Sequence, residues 1–202
     1  HVLFRRQRQM CIRDSLNEGL RMITEGIPPS IIESAAKQLG FPLGPIQLVD
    51  ETSIELGAKI ARATKAAMGA LYPNEQIDEI LFWMEQEGRL GRKARAGFFN
   101  YSEKGKREGF WKGLEEKYPL STTIPAFEDV QHRLMFIQAL EAVRALEEGV
   151  LMDIREGDVG AILGWGFAPW SGGPLSWLDI LGTPYAAERC KALCETYGQR
   201  FE

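Results

Sequence analysis

Reactive side chains are scarce in this chain. Its 202 residues include two histidines and three cysteines. His1 is terminal, and His132 lies in a strong helical pattern, one place from its apolar stripe. There, a surface or hydrogen-bonded buried histidine competes with a general base. No second histidine stands near it, so no zinc set of known spacing can be assembled. Cys190 and Cys194 fall four residues apart on one helix face, where they act as small apolar residues if buried. The acid pairs Glu115-Glu116 and Glu147-Glu148 read as solvated helix faces, not as two carboxyls with split pKa values. Neither G-x-G-x-x-G after a strand nor G-x-x-x-x-G-K-[ST] occurs. The residues therefore assign no catalytic group and no metal.

Two segments keep a chemical reading open. Gly88 to Phe99 interleaves Arg89, Arg92, Lys93 and Arg95 with Gly88, Gly91 and Gly97. Backbone N–H groups and cations there could surround a phosphate, or the segment is a solvated basic loop. Gly164 to Pro174, GWGFAPWSGGP, alternates aromatics with residues that free or fix the backbone. It lines a ligand groove or forms a packed loop that orients two helices.

Composition narrows the class. A hydrophobic content of 45%, 26% charged residues and a net charge of −4 describe a globular protein. A pI near 5.4 argues against general nucleic-acid binding. The longest weakly polar run, Ala161 to Trp170, is too short and too broken for a membrane span, which needs roughly 20 apolar residues. Few cysteines fit a reducing compartment. His1 to Ser15 concentrates Arg5, Arg6, Arg8 and Arg13, and reads as a non-native end or a targeting arm.

The elements that would position these segments are helical. Ser15 with Glu18 forms a capping box, and Gly26 can end that first helix. A second helix spans Pro29 to Leu39, and Pro45 opens a long third one reaching Met68. Asn74 caps a fourth, with Ile77, Ile80, Leu81 and Met84 inward. Gly88 to Gly113 reads as loop, with a short extended piece at Phe98 to Tyr101, and Tyr118 to Pro125 as linker. Asp129 to Glu148 is the strongest helix, with Val130, Leu134, Ile137, Leu140 and Val143 on one face. Shorter helices follow near Asp158–Leu163, Leu175–Leu181 and Pro184–Tyr197. Period-two alternation is almost absent, so the class is all-α.

The chain also repeats itself. Glu18, Arg21, Glu25 and Gly26 match Glu141, Arg144, Glu148 and Gly149 at one separation, 141 − 18 = 123. Gly40-Phe41 matches Gly166-Phe167, and Gly44-Pro45 with Asp50 matches Gly173-Pro174 with Asp179. Two related helical units in tandem are expected, meeting with approximate two-fold symmetry as a homodimer would.

These motifs carry a resemblance. Gly40-Phe41-Pro42-Leu43-Gly44-Pro45 with Leu48 and Asp50 resembles the G-F-P-x-G-P-x-x-L-x-D motif of 3-hydroxyacyl-CoA dehydrogenases. Gly91-Arg92-Lys93 with Gly97-Phe98 and Tyr101 resembles their G-R-K-x-x-x-G-F-Y-x-Y segment, with Phe99 in place of the first Tyr. Arg133–Gly149 and Asp158–Gly182 resemble the second C-terminal domain of the multifunctional fatty-acid oxidation α-subunit. The resemblance implies an all-α, 6-phosphogluconate dehydrogenase C-terminal-like fold in tandem, without a Rossmann domain. Its divisions are a non-matching arm at 1–15, a first domain at 16–117, a linker at 118–126 and a second domain at 127–202.

It further implies a larger parent enzyme that oxidises 3-hydroxyacyl-CoA to 3-oxoacyl-CoA in fatty-acid β-oxidation. There, NAD and the catalytic histidine belong to a Rossmann domain outside this sequence. An enoyl-CoA hydratase domain and a thiolase subunit are further implied partners. The bacterial cytoplasm is the implied location, with mitochondrion and peroxisome left open. The arm departs from the family where the catalytic part should join, so no catalytic residue is carried over and this piece alone is expected to be inactive. The implied acyl-CoA contacts are Phe41, Pro42, Gly44, Pro45, Arg92 and Lys93, while Asp50 is read as a structural hydrogen-bonding residue. The residues leave two rivals open: a helical interaction module, and an acyl-CoA-binding fragment using Arg92-Lys93.

Overall fold

The structure is a computed structural model that describes the backbone of residues 2–69, 72 and 75–202, with the side chains of these from residue 13 onward except 75 and 76. Asn74, the expected cap of the fourth helix, lies outside the described residues. Those described form α1 (Val2–Thr24), α2 (Pro29–Gln38), α3 (Pro45–Thr52), α4 (Ile54–Met68), α5 (Glu75–Gln86) and α6 (Gly113–Lys117). They continue with α7 (Phe127–Glu147), α8 (Ile154–Trp165), α9 (Pro174–Leu181) and α10 (Thr183–Tyr197). One antiparallel hairpin, β1 (Phe99–Tyr101) with β2 (Arg107–Phe110), interrupts them. The class is all-α, and β2 is the element that short alternation could not announce.

The chain divides into two compact units that interleave along the sequence. One comprises His1–Glu18, Ser34–Leu43 and Pro125–Glu202; the other comprises Gly19–Glu33 and Gly44–Ile124. The divisions implied by the resemblance run consecutively instead, at 16–117 and 127–202.

In the first unit α7 is the central element. The expected single apolar face is too narrow a description. Val130, Leu134, Met135, Phe136, Ile137, Ala139, Ala142 and Ala145 are buried around most of the helix, while Leu140 and Val143 are only half-buried. A helix apolar on most sides is a core helix. Its polar residues can be buried because each finds a partner. Gln138 donates to the Leu134 carbonyl (2.7 Å) and accepts from the Trp165 indole (3.2 Å).

Arg133 is the largest fully buried side chain, and its Nε donates to Glu18 Oε1 at 2.6 Å. Arg200 grips the same carboxylate, Nε to Oε2 at 2.6 Å and Nη2 to Oε1 at 2.9 Å. The Arg133 guanidinium also lies 4.2 Å from the Tyr197 ring centroid. This corrects the capping box. Ser15 sits inside α1, and Glu18 turns to two arginines rather than back to a helix start. Burial alone would raise the Glu18 carboxyl; Arg200 and Arg133 outweigh it and hold it below the ordinary value.

The long third helix is also corrected. It breaks at Ser53, whose φ is +85°, leaving α3 and α4 as separate helices. The Ile54 N–H beyond the break donates to the Leu90 carbonyl (3.1 Å).

Both Gly-Pro helices are capped the same way, a device the sequence motifs did not expose. Glu33 of α2 accepts the Ile46 and Gln47 N–H groups (2.9 and 3.1 Å) at the start of α3. Asp158 of α8 accepts the Leu175 N–H (2.8 Å), and the Ser176 N–H (3.1 Å) and hydroxyl (2.6 Å), at the start of α9. Proline removes one orphan donor from the first turn, and a carboxylate from another helix takes the next two.

Replacing Glu18 with Ala leaves Arg133 buried without its carboxylate. Urea denaturation should show a loss of about 3–5 kcal/mol. In the unsubstituted chain, the lowered Glu18 pKa places this contribution above the unfolded value of 4.5, with loss as pH falls through the folded value.

Candidate functional site

The glycine-rich basic loop proves to be wrapped around an anion of its own. Asp50 on α3 accepts three hydrogen bonds: Phe98 N–H to Oδ1 (2.8 Å), Phe99 N–H to Oδ2 (3.0 Å) and the Tyr101 hydroxyl to Oδ2 (2.8 Å). A Cβ on Gly97 would lie 2.2 Å from Asp50 Oδ1, so only glycine lets the loop close this tightly. Burial pushes the Asp50 carboxyl up despite the three donors, and burial with the neighbouring Asp50 pushes the Tyr101 phenol up.

Several of the loop's other N–H groups bond within it. Gly91 N–H donates to the Ala96 carbonyl (2.7 Å), Ala94 N–H to Gly91 and Arg95 N–H to Arg92. The anion held by the Phe98 and Phe99 N–H groups is thus the Asp50 carboxylate. The four cations do not converge. Arg89 braces the loop from inside, donating to the carbonyls of Gly97 (2.7 Å) and Phe99 (3.1 Å) and to Asn100 Oδ1 (2.8 Å), and stacks on Trp111. Arg92 pairs with Glu51 (2.7 Å). Lys93 and Arg95 stand exposed.

The aromatic segment in the other unit is a packed loop. Phe167 is fully buried and meets Phe41 edge to face, with centroids 5.8 Å apart. Gly166 has φ +78°, and a Cβ there would lie 2.6 Å from Pro42 Cγ. The Trp170 indole donates to the Leu39 carbonyl (2.7 Å), yet the residue remains 60% exposed. Phe41 and Phe167 are equivalent positions of the repeat, so a residue meets its own counterpart, as happens on a two-fold axis.

The residues expected to contact substrate thus fall into both units. Phe41 is half-buried and Pro42 exposed in one. In the other, Gly44 and Pro45 are buried, Gly44 beneath the Glu33 carboxyl and Pro45 against Gly19. Arg92 and Lys93 are exposed there. His132 accepts a hydrogen bond from Arg189, the bonded alternative to a base. Cys190 and Cys194 are free thiols, each half-buried. Among the described residues no group of three or more His, Cys, Asp or Glu could hold a metal ion. Sequence reasoning missed Glu33, Asp158 and the inward role of Arg89. An acid ahead of each Gly-Pro was the available signal for the first two.

Comparison with known proteins supplies the family. Residues 9–101 match the family described as 3-hydroxyacyl-CoA dehydrogenase, C-terminal domain. The fatty acid oxidation complex subunit alpha of Vibrio vulnificus is 34% identical over 187 residues, which are 92% of this chain and 26% of that protein. The chain carries a C-terminal 3-hydroxyacyl-CoA dehydrogenase domain.

Two solved structures share its fold. The dehydrogenase part of multifunctional enzyme 1 from C. elegans has a TM-score of 0.69 at 23% identity, over 96% of this chain and 44% of that one. 3-Hydroxybutyryl-CoA dehydrogenase from Escherichia coli has a TM-score of 0.66 at 18% identity, over 96% and 56%. The match to the dehydrogenase family begins within the segment that the motifs left uncovered and ends on Tyr101, the last member of the Asp50 clamp.

Asp50→Asn keeps one acceptor oxygen and turns an NH2 toward groups that themselves donate. A loss of about 2–3 kcal/mol is expected by chemical denaturation. Tyr101→Phe removes a single donor and should cost about 1 kcal/mol.

Proposed function

We propose that this chain is the substrate-side C-terminal part of an NAD-dependent 3-hydroxyacyl-CoA dehydrogenase of fatty-acid β-oxidation. The intact enzyme would oxidise 3-hydroxyacyl-CoA to 3-oxoacyl-CoA. The observation that carries this reading is the 34% identity to a fatty acid oxidation complex subunit alpha across 92% of the chain. The chain spans about a quarter of that relative, so the reaction belongs to the longer parent.

NAD does not fit the residues present. The described strands form one antiparallel hairpin, and no G-x-G-x-x-G turn occurs, whereas a dinucleotide is cradled where a parallel strand meets a helix N-terminus. No step is therefore assigned to NAD here. The chain's own contribution is to bind and orient. Its Asp50 clamp holds the segment bearing Arg92 and Lys93, cations suited to the phosphates of CoA. Its Phe41-Pro42 turn, fixed on Gly166 and Phe167, offers an apolar surface for the acyl chain. Gly44 and Pro45, buried under the Glu33 cap, would act by fixing the start of α3. The remaining partners in this reading are a Rossmann domain, an enoyl-CoA hydratase domain and a thiolase subunit, in a bacterial cytoplasm.

One observation favours the second reading, a helical interaction module. Phe41 N–H bonds to the Ala36 carbonyl and Phe167 N–H to the Ala161 carbonyl, which aligns α2 with α8. The outward positions Ser34, Lys37 and Gln38 of α2 then correspond to Val159, Ile162 and Leu163 of α8. Val159 is 54% and Leu163 81% exposed. Apolar side chains occupy one copy where polar ones occupy the other, as on a face that another surface covers.

The parent polypeptide, expressed from its full reading frame, should form NADH from a 3-hydroxyacyl-CoA while residues 1–202 alone do not. Turnover by the short chain, or none by the parent, overturns the proposal. Arg92→Ala with Lys93→Ala should raise the parent's KM for the CoA ester about tenfold and leave kcat within about twofold, the pattern of a lost binding contact.

A further inference from the structure

The lone internal histidine is held in an arrangement that admits one protonation state. Arg189 of α10 donates from Nε to His132 Nδ1 of α7 at 2.7 Å, and its Nη2 pairs with Asp129. A guanidinium nitrogen always carries hydrogen and cannot accept. His132 Nδ1 must therefore present a lone pair, and the neutral ring keeps its proton on Nε2.

That nitrogen lies 3.9 Å from Glu128 Oε1, a side chain 71% exposed and so a weak anchor. The ring is only 13% exposed and meets Phe136 edge to face, which in turn meets Trp177 of α9. The charged groups facing the imidazole are then Glu128 and Asp129 of its own helix and Arg189 of α10. The α9 side presents an uncharged indole.

We propose that His132, Arg189 and Asp129 form an acid-sensitive latch that holds the N-terminal half of α10 on α7 and opens when the imidazole takes up a proton. A proton on Nδ1 sets N–H against N–H and places two cations in contact, so the Arg189 bond is lost. The far end of α10 is anchored separately, through Arg200 on Glu18 and the fully buried Phe201. Opening is therefore local.

Burial and then Arg189 lower the folded pKa of His132, against Glu128 and Asp129, which raise it. With the unfolded value at 6.5, the latch contributes fully above pH 6.5 and is lost as pH falls from there through the folded value. Asp14 acts in the opposite sense. Burial, then Glu141, raise its carboxyl to about 7, so its burial destabilises increasingly as pH rises from 3.8. A global melting curve mixes these two effects, and a local probe separates them.

The test uses the whole 202-residue chain with isotope-labelled histidine. Its two histidines give two ring signals, assigned with His132→Gln. The His132 signal should titrate below 6.5, show nitrogen shifts of the Nε2–H form, and move up toward 6.5 in Arg189→Gln. Hydrogen exchange at residues 184–190, corrected for intrinsic pH dependence, should quicken by up to about tenfold per pH unit as pH falls from 6.5 to the His132 midpoint and level off below it, while α7 stays protected. A midpoint at or above 6.5, an Nδ1–H ring, or unchanged α10 exchange across the titration overturns the proposal. Should Arg189→Gln fail to fold, the titration and exchange of the unsubstituted 202-residue chain decide alone.

Discussion

A carboxylate stripped of water must be surrounded by donors, and Glu18 imposes that constraint on its unit. The residue is 1% exposed, and two arginines bracket it, one from α7 and one from the turn after α10. An unpaired charge at such a depth costs several kcal/mol. The three segments can therefore assemble only in the register that delivers both guanidiniums. Apolar burial drives the packing of α7, but it is indifferent to small rotations; the Glu18 pair is not. Arg133 lying on Tyr197 ties the same network to the end of α10.

The same economy recurs at Glu33, Asp158 and Asp50. Glu33 and Asp158 each satisfy the exposed donors of another helix's first turn, and Asp50 satisfies two backbone N–H groups and a phenol. Each acid joins segments distant in sequence, Asp50 across 48 residues to Phe98. A structure of short helices with hairpin and loop insertions needs such long-range polar ties, because short helices bury little surface individually.

Much of this was legible in the chain. Proline at Pro45 and Pro174 marked helix starts, and the spacing of Ile77, Ile80, Leu81 and Met84 marked a buried face. The repeated Gly-Phe and Gly-Pro marked a duplication, and the motif through Tyr101 marked the family. Three features were not legible, each for the same reason. The break at Ser53, the inward turn of Glu18 and the closing of the basic loop on Asp50 are all decided by partners far along the sequence. Local pattern reads propensity and period; it does not read which acid will find which donor. The contacts proposed for substrate rested on motif alone, so the packing of Gly44 and Pro45 under their neighbours was hidden as well.

The two copies have not kept the same obligations. Asp50 is buried at the heart of a clamp, while its counterpart Asp179 lies exposed on α9. In the first copy, α4 is followed by α5, the basic loop and the hairpin; in the second, α10 leads directly to the chain's last turn. Among the described residues, Asp179 gathers no such loop. The two Gly-Pro helices thus begin under the same kind of acidic cap, from Glu33 and from Asp158, and differ in what the acid further along each one holds.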